Sequence, residues 1–303
     1  MPLNIEQAVL KTIIYADIFN FPLTTEETCK WLIGLKMNQE EINKSIKILV
    51  KNKRIELKNN YVFLPGRSDL IILRSKKQSW SKKKLSILEQ IIPLLRKIPF
   101  IQMVGITGTL SMENADENDD IDLLIVTKVE RLWLVRAIIT LLLELKGIRR
   151  HPLQVKAKDK ICINMFLDNK HLALLPSERD TFSAHELLQM RPIIEREAIY
   201  GRLIIGNRWV KKYLPNAFGQ IDINRHKKEL NKKVLINQST ETITEPFINC
   251  FELILKWLQM WYMSSKRTNE VINSGYIRFH PYDARKKVLS EYRQRLELFG
   301  LTS

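Results

Sequence analysis

GTLSMENADENDDIDLLIVT, residues 108–127, sets six acidic residues within ten positions: Glu113, Asp116, Glu117, Asp119, Asp120 and Asp122. No base interrupts them, and the acids run straight into Leu-Leu-Ile-Val, an apolar run that predicts a buried strand. Asp120 and Asp122 flank Ile121. On a strand, residues i and i+2 point to one face, so these two carboxylates stand side by side while Ile121 turns into the core. Like charges that close repel unless a cation neutralises them. Oxygen ligands of this kind suit Mg²⁺ or Mn²⁺, which keep further positions for water and substrate phosphates. Upstream, FIQMVGITG (100–108) predicts another buried strand that ends at Gly108-Thr109. Glycine lets backbone approach a ligand, and free N–H groups at a helix start favour phosphate. The two halves together fit a nucleoside triphosphate, with phosphates at Gly108 and Thr109 and a metal between them and Asp120 and Asp122.

Gly-Thr, ten intervening residues and Asp-Ile-Asp-Leu resemble the signature of the nucleotidyltransferase superfamily, which includes DNA polymerase beta, CCA-adding enzymes, aminoglycoside nucleotidyltransferases and small antitoxin-type transferases. The resemblance covers residues 100–170, roughly a quarter of the chain. It implies a mixed-sheet palm that moves a nucleoside monophosphate from an NTP to an acceptor hydroxyl and releases pyrophosphate. By that resemblance Gly108 and Thr109 hold phosphate, Asp120 and Asp122 bind the metal, and a third carboxylate stands on a later strand. The strand that fits is KICINMFLD (160–168), and its centre carries Asn164. Asparagine ligates through its carbonyl oxygen but brings no charge and cannot act as a base. Asp168 shares its face about 13 Å further along. Three expectations stay open: Asn164 as a neutral ligand in the catalytic set, an acid supplied from elsewhere, or a catalytically weak or inactive protein serving as a nucleic-acid-binding or regulatory module. Glu113, Asp116, Glu117 and Asp119 read as solvated loop acids.

Around this centre the 303 residues divide into four parts, with an overall class of α+β. Residues 1–66 read as a winged helix-turn-helix. Thr24 with Glu27 and Asn38 with Glu41 are spaced as capping boxes, and RIEL-KNN-YVFL (54–64) reads as a hairpin. Lys44, Lys47 and Lys51 share the polar side of its third helix. Residues 67–98 read as a basic helical connector with a solvated break at Lys76-Lys77 and Lys82-Lys83-Lys84. Residues 99–180 form the nucleotidyltransferase domain, and 181–303 a helical bundle.

The net charge of +16 is unevenly placed: nine basic and two acidic residues in 67–98, twenty and twelve in 181–303, eleven and twelve in 99–180. Such a field attracts polyanions without conferring specificity. A nucleic-acid partner is therefore expected through segment 74–84 and the C-terminal domain, besides the NTP itself. Arg285 and Lys286 are candidates for reaching a substrate phosphate, against a solvated helix start. Cys29, Cys162 and Cys250 show no metal-type spacing, which predicts a reduced, cytoplasmic protein. The five histidines lack ligand spacing and read as ordinary core or surface residues. The apolar runs 132–148 and 247–263 each contain charges and fall short of a spanning helix, so both read as buried helices and no membrane partner is expected.

Overall fold

The computed structural model describes residues 4–151, 154, 157–221, 245–264, 271–272, 275–278 and 284–301. The chain begins with three helices, α1 (Ile5–Asp17), α2 (Thr25–Lys30) and α3 (Gln39–Lys51). Both expected capping boxes form: the Thr24 and Asn38 side chains accept the N–H groups of Glu27 and Glu41, whose carboxylates return the bond. The hairpin of β2 (Glu56–Lys58) and β3 (Tyr61–Phe63) turns at Asn59 and Asn60, both at positive φ, where asparagine is tolerated. A short β1 (Leu23–Thr24) adds to β3, giving a three-stranded antiparallel sheet in the order β1-β3-β2.

The next segment departs from its expected form. Residues Leu70–Lys97 make one unbroken helix, α4, of 28 residues. The apparent basic break splits between two faces. Lys76, Lys82 and Lys83 are exposed, whereas Lys77, Ser81, Lys84 and Leu88 repeat at helical spacing and are buried. Their charges are met inside the protein. Lys84 Nζ donates to the carbonyls of Glu117 (3.1 Å) and Asp119 (2.6 Å) and to Asp159 Oδ1 (2.8 Å). Lys77 Nζ lies 3.4 Å from Asp116, and Arg74 grips Glu27 with two bonds of 2.7 and 2.6 Å. So α4 is a counter-charge for the acid-rich loop, and Arg74, Lys77 and Lys84 cannot serve as a free nucleic-acid surface. A Lys84→Met variant keeps the volume but leaves two carbonyls without their donor. Asp159 is partly open to water, so the expected cost is about 2–3 kcal/mol in urea unfolding, at or below the lower end for breaking a buried pair.

The main sheet has six strands: β4 (Ile101–Ile106), β5 (Ile121–Thr127), β6 (Ile161–Asp168), β7 (Arg191–Glu195), β8 (Val271–Ile272) and β9 (Tyr276–Arg278), in the order β7-β4-β5-β6-β9-β8. Only β5 and β6 pair in parallel. A parallel pair needs a crossover, and the apolar run after β5 supplies it. Here the four-residue α5 (Gly108–Ser111) precedes β5, and the crossover helix is α6 (Leu132–Leu145), which buries Leu132, Val135, Ile139 and Leu143. Alternation along β5 feeds two cores. Leu123 and Ile125 pack with α4 and α6, while Leu124 and Val126 join the cluster that reaches the N-terminal unit.

The C-terminal part is largely helical, as its pattern predicts: α7 (Thr181–Gln189), α8 (Ile199–Gly206), α9 (Val210–Tyr213), α10 (Pro215–Gly219), α11 (Glu245–Ser264) and α12 (Ala284–Leu298). It also lends β7, β8 and β9 to the sheet, which a purely helical reading missed. These strands have five residues or fewer, too short to show a period of two, and β7 carries Pro192 at the sheet edge. The run 247–263 is not a buried helix. It lies in α11, whose outer face is exposed. Among the described residues no helix is long and apolar enough to cross a membrane. Thr244, whose residue type suits a cap just before this helix, lies outside the described residues.

Candidate metal and phosphate site

Where β4 ends, Thr107 N–H donates to the Asp122 carbonyl at 3.0 Å, which pins the following turn onto the start of β5. Gly108 sits at φ +63°, and a Cβ there would stand 2.9 Å from Asp122 Oδ2. Glycine is thus required twice, for the left-handed backbone and for the close approach. Thr109 is the second residue of α5, and its hydroxyl donates to Asp119 Oδ2 at 3.1 Å. Asp119 also accepts the Asp116 N–H at 2.9 Å, so its side chain braces the loop. The other loop acids meet bases: Glu113 with Arg191 (3.1 Å), Asp116 with Lys77 and Glu117 with Lys158 (2.7 Å). The charges of Glu113, Asp116 and Glu117 are thus answered within the protein.

Asp120 and Asp122 converge as the strand rule predicts. Together with Cys162 they form a group whose ligand atoms lie within 4.8 Å of one another and could hold a metal ion. Cys162 enters because β6 runs parallel to β5 and pairs it with Asp122. Burial and the neighbouring Asp122 and Asp120 charges push its thiol well up. A protonated thiol is a poor metal ligand. Asp120 carries the Arg150 guanidinium as its ion partner. Asp122 has burial and the Asp120 carboxylate against it, and its pKa is pushed up to about 8. A site that penalises a second negative charge this strongly is one that a cation would stabilise.

Asn164 lies where the β5–β6 register shifts, between the pairs Leu123–Ile163 and Leu124–Met165. Its side chain is buried, with Nδ2 3.5 Å from Thr107 Oγ1, and its Oδ1 has no hydrogen-bond partner. A buried acceptor without a donor is costly. An oxygen that lacks a partner and lines the same cavity as Asp120 and Asp122 fits a neutral ligand. Asp168 does not join the group. It accepts the N–H groups of Lys170 and His171 and pairs with the His171 ring at 2.7 Å.

The carboxylate that sequence reasoning missed is Glu186 on α7. It is half-buried, and its charge adds to the load on Asp122. Burial raises its pKa to about 7, with the nearby Gly108 backbone as a partial offset. Only tertiary packing brings α7 to this turn, and AHELLQM by itself reads as an ordinary amphipathic helix. Its neighbour His185 turns the other way, stacked 4.1 Å from the Tyr15 ring, with burial lowering its pKa to about 4. It is a core histidine, and neither it nor His171 or His151 joins the acid group. His226 and His280 lie outside the described residues.

Gly108, Asp122, Asn164 and Glu186 line one side of a cavity of about 1220 Å³, and Tyr15 and Trp31 of the N-terminal unit line the other. Arg285 and Lys286 also line it. Arg285 is committed to Asp180 and to the Ser177 carbonyl (2.7 Å), so it is a brace of the cavity wall in this state.

No protein-family model matches the chain, and no curated relative matches it. Among solved structures, the chain is similar to one described as a toxin-antitoxin with AMP-PNP, at 15% identity and a TM-score of 0.23, over 48% of this chain and 97% of that chain.

Proposed function

We propose that the chain is a metal-dependent nucleotidyltransferase, which transfers a nucleoside monophosphate from an NTP to an acceptor hydroxyl. The observation that supports it best is the convergence of Asp120 and Asp122 directly against the Gly108 turn, where a Cβ would meet the Asp122 carboxylate. Asp120 and Asp122 would hold Mg²⁺ or Mn²⁺, with the Asn164 carbonyl oxygen as a further neutral ligand. The cation supplies charge neutralisation of the triphosphate and of the charge that develops during in-line displacement. Gly108 and Thr109 orient the phosphates through backbone N–H groups. The acceptor oxygen bonds to the α-phosphorus, the α–β phosphoanhydride bond breaks, and pyrophosphate leaves. Glu186 is the further acid at this site, and its elevated pKa suits a group that takes the acceptor's proton. The N-terminal unit, in this reading a winged helix, forms a cavity wall.

A second reading rests on Asn164, which stands where the superfamily signature implies a third carboxylate. In that case the fold binds NTP and metal without turnover and acts as a regulatory module. Incubation with α-³²P-labelled NTPs, Mg²⁺ and a panel of RNA, protein and small-molecule acceptors separates the two. Labelled acceptor and released pyrophosphate support the transferase. Tight NTP binding with neither product, across the full panel and with Mn²⁺, supports the regulatory module.

A further inference from the structure

The inner edge of helix α11 is mixed: Met263 is buried, Leu255 and Met260 pack against the core, Glu252 is buried and accepts the N–H groups of Trp133 (2.8 Å) and Leu134 (2.7 Å) at the start of α6, and Gln259 Nε2 donates to the Trp133 carbonyl (2.8 Å). These bonds fix the rotation of the helix. The outer face is left with Phe247, Ile254 and Trp261 in a line at intervals of seven, flanked by Phe251, Leu258 and Trp257. Phe247, Trp257 and Trp261 are 72%, 67% and 69% exposed. A helix facing only water carries the opposite pattern. Leu141 and Leu145 of α6 are exposed as well, on the helix against which α11 packs.

We infer that this face is a homodimer interface, in which α11 of one protomer packs along α11 of a second copy. Spacing, charge and area favour that occupant. Apolar side chains at intervals of seven with companions at three and four are the surface that another helix fits. The charged residues of α11 are Glu245, Glu252 and Lys256, and none falls on the outer line. An acidic partner helix or an anionic lipid surface would find no base of α11 itself on that line. Two copies of an uncharged seam meet without like charges opposed, although each chain carries +16. Four aromatic side chains, each with about two-thirds of the roughly 150–250 Å² it can bury still exposed, supply on the order of half or more of the roughly 800 Å² per partner of a standard interface, and Ile254 and Leu258 add to it. A closed two-fold pairing uses the same patch on both protomers.

Sedimentation equilibrium of the full chain at about 1–50 µM tests this. The expected result is a dimer mass for the wild type. Ile254→Glu, a change at an exposed position, is expected to raise the dimer dissociation constant at least about 30-fold with an unchanged circular dichroism spectrum. Trp261→Ser serves as the second variant if Ile254→Glu does not fold. A wild type that stays monomeric over this range overturns the inference. If that monomer floats with phosphatidylcholine–phosphatidylglycerol vesicles, the face is a lipid surface. If its tryptophans are shielded from iodide, another part of the same chain covers it. A dimer that survives both substitutions overturns the inference as well. The outcome is independent of any transferase activity.

Discussion

Asp122→Asn is expected to lower Mn²⁺ affinity by about 100-fold or more and to abolish Mn²⁺-dependent NTP binding, while the protein stays folded. The size follows from its place: second-sphere changes around a metal cost 10–100-fold, and a direct ligand costs at least as much. Stability against pH reports on the same residue without any metal or substrate. Asp122 has a folded-state pKa of about 8 against an ordinary 3.8, because burial and Asp120 oppose its charge. Between those values the folded state holds a proton that the unfolded chain has released. The apo protein therefore loses stability as pH rises from about 4 to about 8, then levels off. Glu186, raised to about 7, acts in the same direction over an overlapping window. Metal must displace the proton, so Mn²⁺ affinity is expected to climb on the order of tenfold per pH unit below 8. Thermal melts at pH 5 to 9, with and without Mn²⁺, check this. The wild type should lose melting temperature with pH and recover it with Mn²⁺ at the high end. Asp122→Asn should show a shallower decline and no recovery. A steep apo decline in Asp122→Asn identical to the wild type would place the titration elsewhere.

How much of this was legible in the sequence depends on the range of the rule each residue obeys. Asp120 and Asp122 follow strand alternation, and Gly108 follows from a turn that admits no side chain, so local pattern located both. The capping boxes at Thr24 and Asn38 are equally local. Lys77 and Lys84 were misjudged because lysine on a helix is usually solvated. The carboxylate and carbonyls that reverse that default arrive from the acid-rich loop and from Asp159, far along the chain. The same pairing explains why a basic protein gathers acids at 113–122: most of them hold a loop to α4, Lys158 and Arg191, and the last two are left to converge. Asn164 was visible, but its orphaned oxygen was not, since a register shift between two strands leaves no mark in either one. The outer face of α11 was legible as apolar and misassigned as buried, because a helical period gives the width of a stripe and not what stands opposite.

Glu186→Gln is the change that separates the two roles open to the missed acid. Its carboxylate lies near the Gly108 backbone, whose N–H the proposed mechanism offers to a nucleotide phosphate. An anion at that position competes with the triphosphate and also repels it. Glutamine is nearly isosteric and removes the charge, so affinity for NTP–Mg²⁺ is expected to rise by about tenfold, the effect of roughly 1.4 kcal/mol. Turnover moves the other way. If Glu186 takes the acceptor's proton once the phosphates have displaced it from Gly108, kcat falls by about 10²-fold or more, and the pH–rate profile loses its limb near 7. Isothermal titration with a non-hydrolysable NTP reads the first effect and pyrophosphate release reads the second. Tighter binding with unchanged kcat would make Glu186 a competitor for the phosphate turn and nothing more. Weaker binding would show that it holds the cation alongside Asp120 and Asp122, as a third carboxylate delivered by a helix in place of the strand position that Asn164 occupies.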